Sequence, residues 1–257
     1  MPHALDKDDI DTLVNLADNA GQAILRIYRG PDLGIQAKAD SSPVTDADLA
    51  ANAILCAGLQ QRWPSLPVLT EEGANPFKAG DMPALYWAID PLDGTREFIK
   101  RNGEFTVNIA LIEHGFPVFG LVSAPALDLL YVGVQGRGAR KRQAGAWQDI
   151  EASPAAMPRR VLCSRSHPSP ATEEWLRQTG WQIERREIGS SLKFCLLAEG
   201  EGDVYPRFGP TCIWDTAAGH GVLAAAGGAV ARAEGGPLLY HLPQQTLNPD
   251  FIAWGRR

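Results

Sequence analysis

From Asp8 to Tyr28 the apolar positions Ile10, Leu13, Ala17, Ala20, Ile24 and Ile27 recur every three or four residues, which predicts an amphipathic helix. Gly30-Pro31 supplies its stop. A second helix is expected from Asp46 to about Arg62, with Leu49, Ala53, Ile54 and Ala57 on one face. Lys38-Ala39-Asp40-Ser41-Ser42-Pro43, between them, reads as loop. The pattern then shortens. Pro67–Thr70 reads as a strand ending at Glu71-Glu72-Gly73, and Ala84–Asp90 as a strand ending in carboxylate, with Pro91 expected to stop the ladder. Phe105, Val107, Ile109 and Leu111 alternate with more polar positions, the mark of a half-buried strand. A turn at His114-Gly115 leads to strands at Val118–Val122 and Leu129–Val134, so an antiparallel meander is expected. The basic run Arg137–Arg142 reads as a solvated turn.

Glu151–Pro158 has the composition of a linker, and beyond it the pattern changes. Strands at Val161–Ser164, Ile183–Ile188 and Asp203–Phe208 alternate with helices at Ala171–Gln178, Ser190–Glu199 and Asp215–Ala226. An α+β domain over residues 1–153 and a smaller α/β domain over 154–257 are therefore expected.

Composition narrows the function classes. The net charge of −6 makes long nucleic acid a poor partner, because a polyphosphate needs a basic surface. A small anion stays open if metal ions supply the positive charge locally. Cys56, Cys163, Cys195 and Cys212 form no CxxC pair, so reduced thiols in a cytoplasmic protein are expected rather than a disulfide framework or zinc ribbon. No apolar run approaches the ~18 residues needed to cross a bilayer. The start carries Asp6, Asp8, Asp9 and Asp11 rather than the basic residues of an export signal.

Three acidic clusters lie at expected element ends: Glu71-Glu72, Asp90…Asp93 and Asp215. In Asp90-Pro91-Leu92-Asp93-Gly94-Thr95 the proline stiffens a turn that can make both carboxylates converge, and Gly94 permits close backbone approach. A helix opening at Thr95 would present free N–H groups to a phosphate. Hard oxygen ligands suit Mg²⁺, and the absence of histidine and cysteine argues against zinc. A DxxD after a strand is, by itself, as readily a capped turn as a metal site.

The longer segments WAIDPLDGTREFIKRNGEFTVNIALIEHG and WDTAAGHGVLAAAGG resemble two signatures of the inositol monophosphatase family, with KADSSPVTDAD and LTEEG in family order before the first. The resemblance spans nearly the whole chain and implies that family's layered αβαβα sandwich. EFIKRNGEFTVNIALI, SRSH, IGSSLKFCLLAEG and YPRFGPTCIWDTAAGH are similar to its bacterial 3′(2′),5′-bisphosphate nucleotidases. These remove the 3′-phosphate of adenosine 3′,5′-bisphosphate, a by-product of sulfate assimilation, and leave AMP.

The resemblance implies two or three Mg²⁺ ions held by Glu71, Asp90, Asp93, Asp215 and the Leu92 carbonyl, with Asp90 bridging. Lithium would inhibit. Thr95 and Asp48 would orient the attacking water. The phosphate being cleaved would lie against Glu71, Leu92, Asp93, Gly94, Thr95 and Asp215, and the nucleotide against His167, Gly189, Ser190, Lys193 and Arg207. Glu72 is expected to be an exposed charge, Asp46 a solvated cap residue, and His220 and Trp214 packing residues. Monomer and homodimer both stay open, as does peripheral contact with the cytoplasmic face of the inner membrane.

Two other readings compete. An inositol- or sugar-phosphate phosphatase would share the chemistry and differ in the second half's pocket. A nucleotide sensor without catalysis would bind and not turn over, but a dead site would be free to lose a ligand, and the set is complete. Gly133–Gly138 lacks the spacing of a dinucleotide-binding turn.

Overall fold

The computed structural model describes residues 5–38, 42–154, 158–241 and 243–256. The loop expected at 38–43 and the linker expected at 151–158 therefore lie partly outside the described residues. In chain order, helix α1 (Lys7–Tyr28) is followed by a small ribbon of β1 (Gln36–Ala37) and β2 (Pro43–Val44), and then by helix α2 (Asp46–Arg62). Next come β3 (Val68–Thr70), β4 (Leu85–Asp93), the short helix α3 (Thr95–Ile99), β5 (Thr106–Glu113), β6 (Phe116–Ala124), β7 (Leu129–Val134), β8 (Gly138–Gln143) and β9 (Ala146–Ile150). Strands β3 to β9 lie side by side in chain order as a seven-stranded sheet. Strand β10 (Arg160–Ser164), helix α4 (Pro170–Thr179), β11 (Glu184–Ile188), helix α5 (Leu192–Ala198), β12 (Val204–Arg207), helix α6 (Ile213–Ala225), β13 (Ala229–Arg232) and β14 (Phe251–Trp254) complete the chain. Their strands form a second sheet in the order β11-β10-β12-β14-β13.

Three apolar clusters define the layers. Leu13, Ala17 and Ile24 of α1 and Leu55 and Leu59 of α2 pack on Trp87, Ile89, Val107, Ile109 and Leu121 of the large sheet. That sheet's other face, with Ala88, Ala110, Ile112 and Val122, meets Leu192, Phe194 and Leu197 of α5 and Ala218 and Val222 of α6. These helices also cover Tyr205, Phe251 and Ala253 of the small sheet. Leu176 of α4 packs on Val161, Val204 and Ile252 behind it. The result is a layered αβαβα sandwich. No helix among the described residues is long and apolar enough to cross a membrane.

Several expectations are corrected. The buried stripe of α2 is Ala47, Ala51, Leu55 and Leu59, while Leu49 is 46% exposed. Apolar residues lie on several sides of this helix, Ala53 and Ala57 being exposed, so the pattern does not single out the buried face. Strand β5 is buried on both sides, Thr106 and Asn108 included, because helices cover both faces of its sheet. Pro91 does not end β4: the strand runs on to Asp93, with a register shift between Asp90↔Asn108 and Asp93↔Thr106 that leaves the proline outside the ladder. The basic run expected as a turn is largely β8, paired to β9. Its charges are met in part by Lys141–Glu199 and Arg142–Asp18 ion pairs. Strands β13 and β14 gave no signal in the pattern, being only four residues each.

Glycine sets the spacing that matters most. A Cβ on Gly120 of β6 would lie 2.1 Å from the Ala218 carbonyl of α6, and one on Gly221 would lie 2.9 Å from the Gly120 nitrogen. Helix and sheet backbones therefore touch, and the start of α6 is held against the ends of the large sheet's strands.

Candidate active site

Strands β3 and β4 are parallel, and their pairing ends at Thr70 beside Ile89, so the next residue of each, Glu71 and Asp90, lies at the same edge. Asp215 arrives from the first turn of α6, where its Oδ2 accepts from the Cys212 N–H at 2.7 Å. One carboxylate oxygen from each of Glu71, Asp90 and Asp215 falls within 4.8 Å of the others. Asp90 is 1% exposed; its Oδ1 accepts from the Leu92 N–H, and its Oδ2 has no hydrogen-bond partner among the described residues. Asp93 stands beside this trio, with Oδ2 accepting from Ser191 Oγ at 2.9 Å and from Asn108 Nδ2 at 3.4 Å.

The acids are electrostatically unsettled. Burial, then the charges of Glu71, Asp93 and Asp215, raises Asp90 well above the usual carboxylate range. Burial and then Asp93 push Asp215 up to about 8. Burial also raises Asp93 and Glu71, against the pull of Lys193 on Asp93 and of Lys38 on Glu71. Crowded carboxylates and an orphaned buried oxygen are what a bound cation would relieve. With oxygen donors only, the set fits a hard divalent ion.

Lys38 supplies the one cation bound directly to these acids among the described residues, at 2.6 Å from Glu71 Oε1 and 2.5 Å from Glu72 Oε1. This corrects the reading of Glu72 as exposed: its side chain is 7% exposed and paired. Asp46 is exposed, as expected, but it is the first residue of α2 and the cap is Thr45.

Thr95 opens α3, with Gly94 at the cap position in the left-handed region (φ 91°). The Thr95 hydroxyl lies 3.3 Å from Asp48 Oδ1 and 3.5 Å from the Leu92 carbonyl. Asp48 is 2% exposed, and its Oδ2 also accepts from the N–H (2.8 Å) and hydroxyl (2.5 Å) of Thr45, the cap of α2. Burial raises its pKa in spite of those bonds.

The same cleft is lined by His167, Gly189, Ser190, Lys193 and Arg207, so every residue expected at the site except Asp48 borders one cavity, and Asp48 reaches it through Thr95. Lys193 is 4% exposed and donates to the Ser190 carbonyl at 2.6 Å. Burial pushes it down to about 8, against the pull of Asp93. Arg207 is 7% exposed; its Nη2 donates to the Pro210 carbonyl at 2.8 Å, and its Nε is buried with no partner among the described residues. Ser190 sits at φ 49°, a conformation unusual for a residue with a side chain. At Gly189 the chain itself comes close, since a Cβ there would meet Glu97 Cγ at 2.6 Å. His220 is a core residue, its Nδ1 3.1 Å from the Tyr240 hydroxyl. Trp214 packs, partly buried, against the central cluster.

Sequence reasoning missed the residues that join the halves. Glu104 accepts both guanidinium contacts of Arg165 at 2.8 Å and the Gly189 N–H at 2.8 Å. Glu97 accepts from the Ser166 hydroxyl, and Arg96 from the same helix lines the cleft. Each looks like an ordinary surface charge until the two sheets are placed together.

The inositol monophosphatase family model matches residues 6–251. A 3′(2′),5′-bisphosphate nucleotidase CysQ of Escherichia coli K12 is 49% identical over 243 residues, covering 94% of this chain and 98% of that protein. The crystal structure of CysQ from Bacteroides thetaiotaomicron, described as a bacterial member of the inositol monophosphatase family, superposes with a TM-score of 0.85 at 38% identity, covering 98% of both chains. The extragenic suppressor protein suhB of Bartonella henselae superposes with a TM-score of 0.78 at 26% identity, covering 95% of this chain and 93% of that one.

Proposed function

The chain belongs to the inositol monophosphatase family, and from that premise we propose that it is a cytoplasmic, magnesium-dependent 3′(2′),5′-bisphosphate nucleotidase converting adenosine 3′,5′-bisphosphate to AMP and phosphate. The observation that carries this reading is that a carboxylate cluster and two buried cationic side chains border one cleft. The cluster calls for a cation, and the unpartnered Nε of Arg207 calls for an anion.

Glu71, Asp90, Asp93, Asp215 and the Leu92 carbonyl would hold Mg²⁺, which supplies an acidified water and charge stabilisation at the phosphoryl oxygens. The Thr95 hydroxyl would accept a hydrogen bond from the attacking water and, taking a proton from it, pass its own to Asp48, whose buried carboxylate takes up a proton readily. The water oxygen would bond to phosphorus as the bond to the ribose 3′-oxygen breaks, and the 3′-oxygen takes up a proton from solvent to replace the one passed to Asp48. Lys193 and Arg207 hold the 5′-phosphate, with Ser190 and His167 beside them.

Phosphate release from adenosine 3′,5′-bisphosphate, its 2′ isomer and inositol monophosphate, each with Mg²⁺ and then with added Li⁺, tests the reading. Faster hydrolysis of inositol monophosphate would overturn the choice of nucleotide. Nucleotide binding without phosphate release would leave a sensor.

A further inference from the structure

Ser191 lies one residue before α5 and does not line the cleft, yet it touches two of the residues assigned to the metal. It is 1% exposed. Its Oγ is 2.9 Å from Asp93 Oδ2 and 2.7 Å from the main-chain carbonyl of Asp215, and it accepts from Asn108 Nδ2 at 2.9 Å. Asn108 is fully buried on β5, opposite Asp90 in the ladder. Its Nδ2 also faces Asp93 Oδ2 at 3.4 Å. Three groups, Asn108 of β5, Asp93 at the end of β4 and the Asp215 carbonyl of α6, thus converge on one hydroxyl.

We infer that Ser191 is a positioning residue for the metal site, tying the Asp93 carboxylate to the turn of α6 that carries Asp215, with Asn108 holding the hydroxyl in place. This rests on the assignment of Asp93 and Asp215 as metal ligands. A serine hydroxyl owns one hydrogen and can accept others. With Asn108 donating to it, that hydrogen faces only two acceptors, Asp93 Oδ2 and the Asp215 carbonyl. Both lie within hydrogen-bond distance of the hydroxyl, so a three-centre bond shared between them spans the two ligands, one in the large sheet and one on α6. Without the hydroxyl, Asp93 keeps the longer Asn108 contact and the Ser191 main-chain N–H, and loses its link to the turn of α6. Residues behind a ligand typically govern metal affinity by about 10–100-fold. The cleft side of the nucleotide half, Lys193 and Arg207, makes none of these contacts.

Two titrations on the full chain separate this from general damage. Calorimetry with MgCl₂ alone reads the metal site, and AMP in excess chelator reads the nucleotide half. Ser191→Ala is expected to weaken Mg²⁺ binding by about tenfold or more and to leave AMP binding within about twofold. Asn108→Ala weakens Mg²⁺ less, and the double variant loses less than the sum of the two single losses, because Asn108 acts largely through the hydroxyl and only by its longer contact on Asp93 directly. Unchanged Mg²⁺ affinity in Ser191→Ala, or equal losses for Mg²⁺ and AMP, overturns the inference, as does a fully additive double variant. Should Ser191→Ala fail to fold, Asn108→Ala with wild-type Mg²⁺ affinity overturns it equally. A wild-type protein that binds no Mg²⁺ would instead overturn the proposed function.

Discussion

The Thr95 hydroxyl faces Asp48 Oδ1 at 3.3 Å, across the gap between the start of α3 and the first turn of α2. A threonine hydroxyl alone is a poor base, and the buried carboxylate behind it is what makes it useful. Thr95→Val keeps the shape and removes the contact. Turnover is expected to fall by about 10²-fold or more, with Mg²⁺ affinity little changed. Steady-state rates beside a calorimetric Mg²⁺ titration check this; a variant retaining a tenth of the wild-type turnover would remove Thr95 from the proton path.

Arg207 offers a different split. Its Nε is buried and unpartnered among the described residues, so an anion there gains more than it would at a surface arginine. Arg207→Gln should raise KM for adenosine 3′,5′-bisphosphate by about tenfold or more, the loss of one charge-assisted contact. Turnover of a small phosphomonoester, which lacks a second phosphate, should hold. Equal losses on both substrates would place Arg207 in the chemistry rather than in recognition.

The reach of the sequence can be stated in terms of these residues. The pattern showed acids at strand ends and at a helix start, but the resemblance to the family, not the pattern, singled out Glu71, Asp90, Asp93 and Asp215 as candidates. Thr95 and Asp48 were legible from motif order. Ser191 and Asn108 were not. A polar residue in an alternating strand reads as solvent-facing, and only the second helical layer shows that the polar face of β5 is buried. Glu72 was misread for a related reason: Lys38, its partner, lies 34 residues away in a segment without regular pattern. The strand through Pro91 escaped because a proline is tolerated where the ladder shifts register, and no pattern announces a shift.

The backbone contact between β6 and α6 links packing to chemistry. Gly120→Ala would drive a methyl group into the Ala218 carbonyl, and the helix must move away. Overpacking of this kind costs about 1–3 kcal/mol. The displaced helix carries Asp215, so Mg²⁺ affinity should fall together with the melting temperature. Gly136→Ala is a useful control, because its Cβ position is open space, although its φ of 73° adds backbone strain. If Gly120→Ala melts earlier but binds Mg²⁺ normally, the helix spacing does not set the ligand geometry.

The crowded acids predict how stability depends on pH with and without metal. Burial raises Glu71, Asp90, Asp93 and Asp215 above their ordinary values, Asp215 to about 8. At these four sites the folded, metal-free protein therefore binds more protons than the unfolded chain between about pH 4, the ordinary carboxylate range, and pH 8. Their contribution to stability is present in full below that window and is lost as pH rises through it. A divalent cation favours the ionised acids and reverses the sign of their contribution. The gap in melting temperature between Mg²⁺-saturated and chelated protein should accordingly widen steadily from pH 5 to pH 8. Other titrating groups, such as buried His220, shift both curves alike and cancel in the difference. Asp90→Asn should flatten the chelated curve and abolish most of the gap, since it removes the most buried of the acids. A gap that is constant across the range, or that narrows towards pH 8, would mean that the four acids are already ionised and settled without a cation.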